Sequence, residues 1–171
     1  MRCRIAIAVL LFLQCGAALA GQDRVLPEDG AGAAIQGASS GPAADFTLSD
    51  IDGRPMTLGP FLGKIPVLLV FWATWCPECK AAIPEINALA TGPLAEKLKI
   101  FALDYRESRE KVAQAVRSHG IRYTVLLDEM GRAARSYGVV GIPTYILIDR
   151  NGNIAWRKHL LPGELATLLE S

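Results

Sequence analysis

Pro66-Val67-Leu68-Leu69-Val70-Phe71-Trp72-Ala73-Thr74-Trp75-Cys76-Pro77-Glu78-Cys79-Lys80 is the most informative stretch of the chain. Its first seven residues form a continuous apolar run that is too short for an ordinary helix and suits a strand buried on both faces, at the centre of a sheet. A helical pattern starts around Cys76 and carries Ala81, Ile83, Ile86 and Leu89 toward Thr91, with Pro84 predicting a kink because it removes a backbone donor. Cys76 therefore falls at a helix start, where unpaired N–H groups and the positive end of the dipole favour a thiolate and make it a nucleophile. Pro77 suits the first turn, since its missing N–H would have had no partner there. Cys79 lies one turn along on the same side and can resolve a mixed disulfide formed at Cys76. The pair can carry reversible two-electron exchange, provided that Cys76 stands open to incoming proteins.

Outward from this stretch, Lys99 to Asp104 reads as a strand, Ser108 to His119 as a helix, Thr124 to Leu127 as a strand and Gly131 to Tyr137 as a short helix. Thr144 to Ile148 and Ile154 to Lys158 are strand-like runs joined by Asp149-Arg150-Asn151-Gly152, where Asn-Gly favours a tight hairpin with both residues at positive φ. Leu161 to Leu169 reads as a closing helix. Ahead of the central strand, Asp45-Phe46-Thr47-Leu48, the turn signal Asp50-Ile51-Asp52-Gly53 and Met56-Thr57-Leu58 predict a short strand pair. The fold class is α/β: a central mixed sheet flanked by helices on both faces, with an N-terminal strand pair. A second element, Gly138-Val139-Val140-Gly141-Ile142-Pro143-Thr144, precedes the penultimate strand. If Ile142-Pro143 is cis, the turn leaves the backbone of Ile142 free beside the cysteines to pair with an extended partner.

The ends of the chain place it in a compartment. Arg2 and Arg4, the apolar run Ile5 to Leu13 and the small-residue site Ala18-Leu19-Ala20 have the build of a secretory signal peptide over residues 1–20. Residues 21–43 are rich in Gly, Ala and Ser and read as a flexible linker, leaving 44–171 as one domain. Retention of the segment as an inner-membrane anchor is the second choice, because the apolar stretch is short for a span. Cleavage would remove Cys3 and Cys15 and leave only Cys76 and Cys79. Of the 171 residues 51% are hydrophobic and 20% charged, an ordinary globular balance. The net charge is +1, which offers no field for nucleic acid.

The chain resembles the TlpA/ResA-like family of exported thiol-disulfide oxidoreductases, which includes cytochrome c maturation thioredoxins. The resemblance rests on Phe71 to Cys79, Gly141-Ile142-Pro143-Thr144 and Ile148-Asp149-Arg150-Asn151-Gly152, and covers about residues 44 to 170. It implies a thioredoxin fold, a cis Pro143, and no organic cofactor or metal. It also implies a reducing role in the periplasm or an equivalent space, on disulfide-containing exported proteins such as apocytochrome c, with electrons from a membrane thiol reductase. The expected catalytic residues are Cys76 and Cys79, and the expected substrate-binding residues are Trp75, Pro77, Glu78, Ile142 and Pro143. There are departures from the family. The buried aspartate of thioredoxins falls on Val70, and the glutamate that many ResA-like members carry after the second cysteine falls on Ala82. Glu78 and Lys80 then set the Cys76 thiolate balance with opposite signs, the carboxylate raising the pKa and the ammonium lowering it.

Other readings compete with this one. A structural zinc site wants four ligands, and His119 and His159 are the only other soft donors. A purely structural disulfide closing so small a loop would stabilise little. A copper(I) metallochaperone would use the two sulfurs with His159, which this reading places outside the Pro143 loop and in solvent. A peroxiredoxin-like peroxidase lacks its threonine/cysteine pattern here. His119 reads as a helix cap, Trp72 as a core aromatic and the charged run Arg106 to Lys111 as the start of a solvated helix face.

Overall fold

Every residue of the run Val67–Trp72 is buried in the computed structural model, which describes residues 41–163 together with Leu165 and Leu169. In chain order the elements are β1 (Thr47–Asp50), β2 (Pro55–Thr57), a 3-10 turn (Gly59–Phe61), β3 (Val67–Trp72), α1 (Pro77–Ala81), α2 (Ile83–Thr91), β4 (Lys99–Tyr105), α3 (Arg109–Ser118), β5 (Thr124–Asp128), α4 (Arg132–Ser136), β6 (Thr144–Ile148) and β7 (Ile154–Lys158). The strands form one sheet in the order β2-β1-β5-β4-β3-β6-β7. Strands β3, β4 and β5 run parallel, whereas β6 is antiparallel to β3, β7 to β6 and β1 to β5. The expected mixed sheet is present, and β3 sits inside it with a partner on each side.

Strand alternation sorts the core into two layers. Leu68, Val70 and Trp72 pack with Ile83, Ile86 and Val112 of the α1, α2 and α3 side, and both cysteines belong to this layer. Val67, Leu69 and Phe71 pack with Phe101, Leu103, Ile146, the α4 residues Ala133 and Ala134, and the α4 C-cap Tyr137. Side chains such as Phe71, Phe101 and Ile146 are wholly covered, each worth about 1.5–3 kcal/mol of transfer free energy. Helix α4 starts where the buried Asp128 accepts the N–H groups of Ala133 and Ala134 at 3.2 and 2.8 Å. Gly131 before it takes φ +62°, and a Cβ there would stand 3.1 Å from the Tyr105 ring.

Three local expectations change. The helix after Cys76 is broken rather than kinked: α1 ends at Ala81, and Pro84 falls in the first turn of α2, where its missing donor is harmless. In the late hairpin only Gly152 has positive φ, at 83°. Asp149 closes that turn by accepting the N–H groups of Asn151 and Asn153 at 2.8 and 2.9 Å, an Asx turn in place of a two-residue Asn-Gly hairpin. Pairing begins earlier than residue 44, because Ala43 donates to Gly152 and Ile154 donates to Gly41, at 2.9 and 3.0 Å. The expected helix over 161–169 lies mostly outside the described residues, as do the expected signal peptide and most of the linker.

Candidate active site

The end of β3 delivers Cys76 to the N-cap of α1, and Cys76 and Cys79 are joined with an S–S distance of 2.10 Å and a Cα separation of 5.3 Å. The Cys79 N–H donates to Cys76 Sγ at 3.1 Å, so a free helix-start donor points at this sulfur. Glu78 Oε2 lies 3.9 Å from the same sulfur. Trp75 is 59% exposed, and Pro77 and Glu78 are exposed beside it. The cysteines themselves are covered in this disulfide state, Cys76 at 2% and Cys79 at 4% exposure. The expectation of an open Cys76 is therefore not met here: the neighbours reach solvent and the sulfur lies beneath them.

The Ile142-Pro143 bond is cis. Pro143 is buried and Ile142 half-buried, and no internal hydrogen bond among the described residues takes up the Ile142 backbone outside the sheet ladders. Ile142, Gly141, Val140 and Val139 join Trp75 and Tyr105 around an apolar cavity of about 240 Å³. The two separated motifs thus share one surface. His159 is exposed, as expected, but it is not separate from the Pro143 loop. Its Nδ1 donates to the Pro143 carbonyl at 2.8 Å and lies 3.3 Å from Thr144 Oγ1, whose hydroxyl donates to the Gly141 carbonyl at 2.6 Å. It is attached to the Pro143 loop. His119 is the C-cap of α3 and Trp72 is buried, as read from the sequence.

Two functional candidates were not found by sequence reading. Glu107, inside the run read as a solvated face, has a side chain only 5% exposed. Its carboxylate accepts the Thr74 N–H at 2.5 Å and the Thr74 hydroxyl at 2.8 Å, and Lys111 pairs with it. Burial opposes its charge, but the bonds from Lys111 and Thr74 prevail and hold its carboxyl below the usual range. Asp104, at the end of β4, is fully covered. Its Oδ1 accepts the Glu107 N–H at 3.2 Å, and Oδ2 accepts from no donor among the described residues. Burial first, then the negative charge of Glu107 and a side-chain hydrogen bond with that carboxylate, push this carboxyl up to about 8. Asp104 pairs in register with Trp72, whose Nε1 also lacks a partner among the described residues. The available signal was a lone carboxylate ending an otherwise apolar strand.

The AhpC/TSA family model matches residues 40–157. The chain belongs to the AhpC/TSA family. Within this family, the thiol-disulfide oxidoreductase ResA of Bacillus thuringiensis is 34% identical over 112 residues, covering 66% of this chain and 64% of that protein. The thiol:disulfide interchange protein DsbE of Vibrio cholerae is 37% identical over 116 residues, covering 66% of this chain and 60% of that protein. The chain thus spans less than two thirds of the length of either relative. Among solved structures, the thioredoxin domain of a thiol-disulfide oxidoreductase from Bacteroides vulgatus superposes with a TM-score of 0.68 at 25% identity, covering 78% of this chain and 96% of that one. The thioredoxin fold and the ResA-like resemblance expected from the sequence both hold for this AhpC/TSA-family chain.

Proposed function

We propose that the protein is an exported thiol-disulfide oxidoreductase that reduces disulfides in partner proteins. The observation that carries this reading is the Cys76–Cys79 disulfide at a helix start, with the Cys79 N–H on Cys76 Sγ and, on the same surface, an Ile142 backbone that pairs with none of the described residues. In the reduced form the Cys76 thiolate attacks a partner disulfide, and one partner sulfur leaves with the electron pair. Cys79, giving up its proton, then attacks Cys76, releasing the second partner sulfur and closing the Cys76–Cys79 bond. Two electrons pass to the partner, and a membrane thiol reductase restores the dithiol.

Trp75, Pro77, Glu78, Ile142 and Pro143 form the docking surface. The partner chain lies extended along Ile142, and an apolar side chain beside its cysteine enters the Trp75–Val140 cavity. Residues 1–20 direct export as a signal peptide, and oxidised apocytochrome c is the substrate class that the family resemblance favours. No group of three or more His, Cys, Asp or Glu side chains among the described residues is arranged to hold a metal ion.

The test is covalent trapping. Reduced Cys79→Ser mixed with a disulfide-bonded apocytochrome c haem-site peptide should stall as an adduct on Cys76 that dithiothreitol releases, and Cys76→Ser should form none. An adduct in neither variant rejects the exchange. A midpoint potential above about −150 mV would reject the reducing direction.

A further inference from the structure

Arg106 is the one residue other than glycine with a positive φ among the described residues, at 65°. It joins β4 to α3, where the chain turns sharply enough for the Glu107 N–H to reach Asp104 and the Glu107 carboxylate to reach Thr74. That turn asks for a left-handed conformation, which glycine adopts at no steric cost. It does not ask for an arginine. A long side chain held in this region is a strain that its surroundings must impose, and such residues gather at ligand clamps and active sites.

The surroundings fit this side chain. The Arg106 N–H donates to the Asp128 carbonyl at 3.3 Å. Its stem lies against Gly131, where a Cβ would stand 3.3 Å from Arg106 Cδ and 3.4 Å from Cγ. Its guanidinium carbon is 5.8 Å from the centroid of the Tyr105 ring. Tyr105 is also a wall of the apolar cavity of about 240 Å³ that it shares with Trp75, Val140 and Ile142. Arg106 is exposed, and the ion pairs among the described residues involve Arg54 and Lys111 instead. The carboxylates beside its backbone are committed elsewhere, Glu107 to Thr74 and Lys111, and Asp128 to the N–H groups of Ala133 and Ala134.

We propose that Arg106 is a specificity-determining residue, and that the partner polypeptide it selects carries an acidic side chain close to the apolar one that enters the cavity. The inference rests on the exchange proposed above and leaves its sulfur chemistry unchanged. Charge complementarity sets the sign: a cation on the cavity wall, with no ion-pair partner among the described residues, is matched by a carboxylate of the bound chain. Arginine suits the role because its planar head can lie on the Tyr105 ring and still donate to a carboxylate as a fork. Glu78, exposed on the sulfur side of the surface, opposes an acid placed there, so the preference belongs to the Tyr105 side.

The experiment measures kcat/KM of the reduced protein on disulfide-bridged peptides that share one apolar residue beside a cysteine. A glutamate is placed in turn at each position within about four residues of that cysteine, and each peptide is compared with its glutamine twin. Wild type should reduce the glutamate member about fivefold faster at a position beyond the apolar residue, an advantage that shrinks in salt. Arg106→Gly relieves the backbone strain, so it folds, and it should reduce both members of every pair equally. Arg106→Glu should reverse the preference and favour a lysine twin at the same position. Arg117→Gln, in the last turn of α3, should keep the wild-type preference. Equal wild-type rates on every glutamate and glutamine pair overturn the proposal. So does a preference that survives in Arg106→Gly, or one that Arg117→Gln abolishes as well. A wild-type protein that reduces none of the peptides overturns the exchange beneath the proposal.

Discussion

At the residue scale, the reactivity of Cys76 is a contest between one dipole and one charge. The Cys79 N–H at 3.1 Å supports a thiolate at Cys76, and the Glu78 carboxylate at 3.9 Å opposes it. Glu78 is exposed, so water screens its effect. Titrating the thiolate absorbance of Glu78→Gln should give a Cys76 pKa lower than wild type. An unchanged value removes Glu78 from the account. The cysteines and their immediate neighbours were legible in the sequence, because a nucleophile at a helix start follows from local spacing alone. The attachment of His159 to the Pro143 carbonyl was not legible, since it depends on which strand lies beside β6.

At the scale of elements, the junction between β4 and α3 carries two carboxyls that affect stability with opposite sign. Asp104 has a folded pKa raised from its ordinary value to about 8. Its contribution is therefore fully present below about pH 4 and is lost as pH rises toward 8, because the unfolded chain gives up the proton first. Glu107 is shifted downward, so its contribution is present above the ordinary glutamate range and is lost in acid. Denaturant unfolding of the oxidised protein should show wild type losing on the order of 2–3 kcal/mol relative to Asp104→Asn between about pH 4 and pH 8. Parallel curves for the two proteins would show that Asp104 does not hold its proton. The run Arg106 to Lys111 alternates in sign and fits a solvated helix face at every residue but one. Glu107 turns inward because Thr74, from a loop distant in sequence, brings it two donors. No local pattern encodes that partner. Asp104 was the residue with a readable signal, a charge at the end of a strand that is otherwise buried.

For the whole molecule, the sheet order converts separated segments into one surface. The carboxyl ends of the parallel strands β3 and β4 bring up the Cys76 and Glu107 loops, and the antiparallel β6 brings Pro143 to the same end from its amino terminus. The apolar run, the alternation of strands and helices and the late hairpin were enough to predict a mixed α/β sheet. The resemblance supplied the cis proline. The insertion of β5 between β1 and β4 required the folded chain, since strand neighbours depend on packing rather than on order in the sequence. The proposed docking surface is apolar where Trp75, Val140 and Ile142 meet, and Cys76 is buried in the disulfide state.

The account depends on reduction making Cys76 accessible at the centre of that surface while Cys79 stays beneath it. Timed alkylation of the folded, reduced protein, read by mass spectrometry of the peptide carrying each cysteine, tests this directly. The account predicts that Cys76 is labelled well ahead of Cys79. Equal protection of both thiols until the protein unfolds would contradict it.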